Sequence, residues 1–115
     1  MKNNAVTYKG KEYTLEFNLN VMQKIQDEYG TIEHWAELTD GNGGEVNLKA
    51  LIFGIREMIA EGIDIRNEET GSTDTVPTLK QVGRMITEMG IAEVTAQMNE
   101  TVVKSTSEGE PPKNA

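Results

Sequence analysis

The stretch that decides the fold is Glu16–Gly30, EFNLNVMQKIQDEYG. Up to Phe17 polar and apolar residues alternate; beyond Asn18 the apolar spacing widens to three and four. Period two marks a half-buried strand, and the wider spacing marks a helix with one apolar face. A strand is leaving and a helix is entering. Asn18 suits the N-cap, because its side-chain oxygen can accept from amides that the first turn leaves free. Val21, Met22, Ile25 and Tyr29 form the apolar stripe, and Gly30 suits the left-handed position that ends many helices. A helix is expected from about Leu19 to Tyr29.

Working upstream, Tyr13, Leu15 and Phe17 share one face, with Glu12, Thr14 and Glu16 on the other. Val6, Thr7 and Tyr8 make a shorter partner across a turn at Gly10, giving a hairpin. Two strands alone are marginal, so the hairpin must pack on helices.

Working downstream, Thr31 caps a short second helix, with Glu33 near its positive end and Ile32, Trp35 and Leu38 inward. TDGNGGE, Thr39 to Glu45, is too rich in glycine to be helical and is expected to be a loop. Asn47 caps a third helix carrying Leu48, Leu51, Ile52, Ile55, Met58 and Ile59, with Gly62 as its stop. Phe53 lies off that stripe, which implies burial on more than one side. Gly54 inside this helix costs about 1 kcal/mol relative to alanine, and its presence points to close approach by another backbone. Ile63 to Val76 is expected to be a polar loop. Thr78 and Gln81 have capping-box spacing, opening a fourth helix with Leu79, Val82, Met85, Ile86 and Met89 inward. After Gly90 a fifth helix is expected from about Ile91 to Lys104, carrying Ile91, Val94, Met98 and Val102. Helices four and five then meet at a sharp bend or form a tight pair.

The expected fold is mainly α (α+β), an N-terminal β-hairpin followed by about five helices in a small bundle. Residues 1–5 are expected to be flexible and 6–105 to form a single domain. Residues 106–115, small, polar and bearing two prolines, are expected to be a disordered tail. The chain's 115 residues suit one domain that buries a core without staples. No internal repeat is present.

Composition narrows the function. With no cysteine, the sequence has neither disulfides nor thiolate metal ligands, as suits a reducing cytoplasm. A net charge of −8 disfavours nucleic acid and anionic membranes, and favours solubility or a basic partner. MKNNAVTYKG lacks the apolar core of a signal peptide, and no stretch approaches the ~18 apolar residues of a membrane span. The expectation is a cytoplasmic protein.

Catalytic and cofactor signatures do not emerge. His34 is the one histidine and has no second ligand type beside it, so it reads as a surface residue. There is no Gly-x-Ser-x-Gly elbow, phosphate loop or dinucleotide fingerprint. Asp64, Glu68, Glu69 and Asp74 miss the spacing of a calcium loop and read as a solvated acidic segment. Glu57 and Glu61 flank a charged helix face with Arg56. No catalytic, cofactor-binding or metal-binding residue is nominated.

The six methionines carry the remaining signal. Met22, Met58, Met85, Met89 and Met98 sit at core-compatible helical spacings, yet methionine also serves adaptable binding surfaces. Met85, Met89 and Met98 near the Gly90 joint, together with Phe53 and Val102, are the candidate partner-binding residues. These residues could equally serve a self-interface, so a homo-oligomer stays open.

Three features together resemble the tail assembly chaperones of long-tailed bacteriophages. They are the hairpin and first helix with Phe17, Asn18, Glu28, Tyr29 and Gly30; LKALIFGIREMIAEG, Leu48 to Gly62; and TLKQVGRMITEMGIAEVTAQMNETV, from Thr78. The resemblance spans roughly residues 6 to 105 and rests on caps, apolar spacings and their order. It implies a non-enzymatic role: binding the tape measure protein and helping recruit tail tube protein during virion assembly. It also implies action in the host cell cytoplasm, from a phage or prophage gene, and absence from the mature virion. In many relatives a ribosomal frameshift near the end of the gene adds a second domain; this chain would be the short form, diverging near Ser105. The alternatives are a head–tail connector or minor tail protein, which mature particles would contain, and an acidic inhibitor of a basic protein, whose binding salt would weaken.

Overall fold

The structure, a computed structural model, describes residues 5–40 and 45–109, the side chains of 106–109 excepted. The chain forms a two-stranded hairpin and five helices, in the order β1 (Ala5–Tyr8), β2 (Lys11–Thr14), α1 (Leu19–Tyr29), α2 (Ile32–Asp40), α3 (Leu48–Thr70), α4 (Leu79–Met89) and α5 (Ile91–Gly109). This is the mainly helical α+β architecture expected.

The strands are antiparallel, with Val6 opposite Tyr13 and Tyr8 opposite Lys11. Lys9 and Gly10 make the turn and both have positive φ, 51° and 78°, as tight two-residue hairpin turns of this hand require. Ala5 lies within β1 and pairs with Thr14, where flexibility through residue 5 was expected; residues 1–4 lie outside the described residues. β2 stops at Thr14, but the alternation continues. Leu15 and Phe17 are buried, and Glu16 between them is half-buried.

Local caps act where the sequence placed them. The Asn18 side chain accepts from the Val21 amide at 3.3 Å, and Asn47 from the Ala50 amide at 2.9 Å. Thr31 accepts from the His34 amide at 2.9 Å. Thr78 and Gln81 bond reciprocally at 3.1 and 2.9 Å, completing the capping box. Gly30 closes α1 by donating to the Gln26 carbonyl at 2.8 Å; its φ of 89° and ψ of −50° lie outside the left-handed helical well expected.

α3 departs most from expectation. It runs through Gly62 to Thr70, so Ile63–Thr70, expected to be loop, is helix. The left-handed stop falls instead at Gly71, with φ 76°, ψ 12° and its amide on the Asn67 carbonyl at 2.8 Å. Gly62 has a different task. A Cβ there would collide with the Thr14 backbone carbonyl, so the missing side chain lets the end of β2 lie against α3. Beside it, the Glu16 amide donates to the Met58 carbonyl at 3.2 Å. Gly54, expected to meet a backbone, meets the Trp35 indole instead.

Two smaller differences concern helix ends. α2 extends through Thr39, which is buried, to Asp40; the rest of the expected loop at 41–44 lies outside the described residues. α5 continues past Lys104 to Gly109, into the segment expected to be disordered from 106. Residues 110–115 lie outside the described residues.

The core is built round α3, which packs against α1, α2, α4 and β2, so Phe53 off its main stripe is indeed half-buried. Leu51, Met58 and Ile59 are fully enclosed, joined by Val21, Ile25, Trp35, Val82, Val94 and Met98. Trp35 stacks on Phe17 with centroids 6.3 Å apart, and its Nε1–H donates to the Ala50 carbonyl at 3.0 Å. That bond matters because a buried indole N–H without a partner is costly. β1 packs on α4 and α5, bringing the first described strand against the last helices. No helix among the described residues is long and apolar enough to cross a membrane.

Candidate functional site

Of the five nominated partner-binding residues, two are in the core. Met85 is 2 % exposed and Met98 0 %, so neither presents a surface in this state. Each lies on the inward stripe of its helix, and the apolar contacts available there outweigh any preference of methionine for surfaces. Phe53, Met89 and Val102 are half-buried against the core. They lie on three different helices, α3, α4 and α5. Phe53 meets Tyr29 edge to face at 5.6 Å, whereas Met89 ends α4 and Val102 lies well along α5.

The residues that are exposed follow a rule the periodic reading missed. Leu19, Leu48, Leu79 and Ile91 each begin a helix and each is exposed. Along a helix the Cα–Cβ bonds tilt toward its N-terminus, so the first side chain reaches past the end of the packed region. Spacing alone places Leu48, Leu79 and Ile91 on the inward stripe; position at the helix start takes them off it. Val103, beside Val102, is exposed too. On α4 and α5, then, Leu79, Met89, Ile91, Val102 and Val103 are large apolar side chains at or near the surface.

A second candidate is a cleft of about 210 Å³ where the hairpin crosses α3. Lys11, Glu12, Tyr13 and Glu16 line one side, and Ile63, Arg66 and Glu69 the other. Burial, then the carboxylates of Glu61 and Glu69, push the Glu16 carboxyl above its ordinary value. Glu61, next to this cleft, is not a free carboxylate. Its Oε2 accepts from the Asn18 amide group at 2.9 Å and from that of Asn20 at 3.1 Å. Asn18 thus caps α1 with its oxygen and ties α1 to α3 with its nitrogen. The sequence shows the cap; the tie spans residues far apart in the chain and has no local signal.

Asp64, Glu68 and Glu69 project from α3, so only Asp74 of the expected acidic segment lies beyond a helix. Asn67 fixes that region, donating to the Asp74 carbonyl and accepting from the Asp74 amide, both at 3.1 Å. Among the described residues no group of three or more His, Cys, Asp or Glu is placed to hold a metal ion. His34 is exposed. Among the described residues the Tyr29 hydroxyl is buried without a partner, and burial, then Glu28, raise its pKa.

No protein-family model, curated protein or solved structure matches the chain.

Proposed function

We propose that this chain is a tail assembly chaperone of a long-tailed bacteriophage, a non-enzymatic protein that binds the tape measure protein before it is built into a tail. The observation that carries the reading is the order of elements. A hairpin runs through Phe17 into an Asn18-capped helix closed by Gly30, then a long helix from Leu48, then two helices parted by Gly90 alone. That order is the one the resemblance implies.

The surface supports the same reading. Met89, Ile91 and Val103 give α4 and α5 apolar side chains at or near the surface, joined by the half-buried Phe53 and Val102. An apolar helix of a partner could dock on such residues, as amphipathic helices do in apolar grooves. The net charge of −8 would keep the complex dispersed. In this reading the chain also helps recruit tail tube protein, acts in the host cytoplasm and is absent from finished particles.

Co-expression tests it. The protein should keep a fragment of the tape measure protein in the soluble fraction, and Ile91→Asp should abolish that effect without lowering the melting temperature. A fragment that precipitates equally with and without the protein rules the reading out. The chain at stoichiometric level in purified virions would favour a connector or minor tail protein instead.

A further inference from the structure

The hairpin is joined to α3 along a short seam with an odd charge arrangement. The Glu16 amide, just past β2, donates to the Met58 carbonyl at 3.2 Å; beside it, the side chains of Asn18 and Asn20 tie α1 to α3 by donating to Glu61 Oε2 at 2.9 and 3.1 Å. Gly62 lets the Thr14 carbonyl lie against the helix just beside them. The Glu16 side chain is half-buried in this seam, lining the cleft between β2 and α3. Among the described residues its carboxylate has no hydrogen-bond or ion-pair partner.

The charged groups that face it are mixed but do not neutralise it. β2 contributes Lys11 and Glu12, α3 contributes Glu61, Arg66 and Glu69, and the segment after α3 contributes Asp74. The Lys11 ammonium lies over the Tyr13 ring, 5.4 Å from its centroid. Glu61 and Glu69 act on Glu16 from the helix side, and both disfavour its charge. A half-buried carboxylate without a partner, facing two others, stores repulsion at the point where the hairpin is fastened.

We propose that this seam is a charge-sensitive clasp, in which α3 grips the hairpin firmly when Glu16 is neutral and weakly when Glu16 is ionised. The sign follows from linkage. The carboxyl binds its proton more tightly in the folded chain than in the unfolded one. The resulting stabilisation is complete below the ordinary carboxylate range and is lost as pH rises through the raised value. As pH rises through that value the carboxylate ionises and the seam takes on its repulsion. Ionisation then loosens the hold of α3 on the hairpin without any change in the core.

Amide hydrogen exchange on the full chain, resolved by NMR, tests the clasp without a partner protein. At neutral pH, Glu16→Gln should raise the protection of the residue-16 amide by about threefold or more, and raise hairpin amides more than the Val94 amide of α5. Glu69→Gln, which removes an exposed neighbour, should move the same amide in the same direction by less. Unchanged or lower protection at residue 16 in Glu16→Gln overturns the proposal. So does an equal rise at every amide, which would mean global stabilisation. The wild-type chain offers a measurement that needs no variant. Protection at the Glu16 amide should fall as pH rises from about 4 to about 7, and a flat profile overturns the clasp.

Discussion

Three glycines on α3 and α4 look alike in the sequence and differ in what surrounds them. At Gly62 a methyl group would strike the Thr14 carbonyl, a backbone atom that cannot turn aside. Gly62→Ala should therefore cost about 2 kcal/mol or more in chemical unfolding and weaken the hairpin seam first. At Gly54 the obstacle is the Trp35 indole, which its bond to the Ala50 carbonyl holds in place, so alanine there should also destabilise. Gly83 is the opposite case. A Cβ there would sit 3.7 Å from Ile52 Cδ1, an ordinary contact. Gly83→Ala should stabilise by about 0.5–1 kcal/mol, since alanine loses less backbone entropy in a helix. Unfolding midpoints of the three variants, read side by side, check the set; a destabilised Gly83→Ala would mean that α3 and α4 pack more tightly than these distances imply.

Helix caps are where sequence and structure agree best, because a cap is decided within four residues. Asn47→Ala should cost about 1 kcal/mol by removing the acceptor for the Ala50 amide, with the loss visible as a lower melting temperature. Asn18→Ala should cost more than Asn47→Ala, since it removes a cap and also the tie to Glu61. The fold class, the strand-to-helix switch and the inward stripes of α1, α3, α4 and α5, except for Leu48, Leu79 and Ile91 at their helix starts, were legible for the same local reason. What was illegible is what distant residues decide. Gly62 reads as a helix stop because glycine is poor in helices, yet packing of Thr14 against it offsets that cost and carries α3 on to Gly71. The polar composition of Asp64–Thr70 hides this end of α3, since only Ile63 beyond Gly62 is buried. The candidate partner residues were read from residue type and spacing, which do not distinguish the outer side of a helix from its inner side near a joint. Hence Met85 and Met98 proved to be core, while Ile91 and Val103 went unnamed.

At the scale of the molecule the fold closes on itself. Val6 on β1 is 1 % exposed, and β1 packs on α4 and α5 as well as pairing with β2. Val6→Ala should cost about 1–3 kcal/mol and lower the protection of hairpin and α5 amides together, because one side chain serves both. A loss confined to the hairpin would mean that α5 is held by α4 alone. The placement of β1 has a consequence for synthesis. Translation delivers β1 well before α4 and α5, so Val6 cannot be covered until those two helices have left the ribosome. A chain stalled after α3 can assemble Trp35, Phe17 and Leu51 but leaves one side of its hairpin uncovered. Emergence of α4 and α5 is therefore the step at which this sticky side of the hairpin is covered.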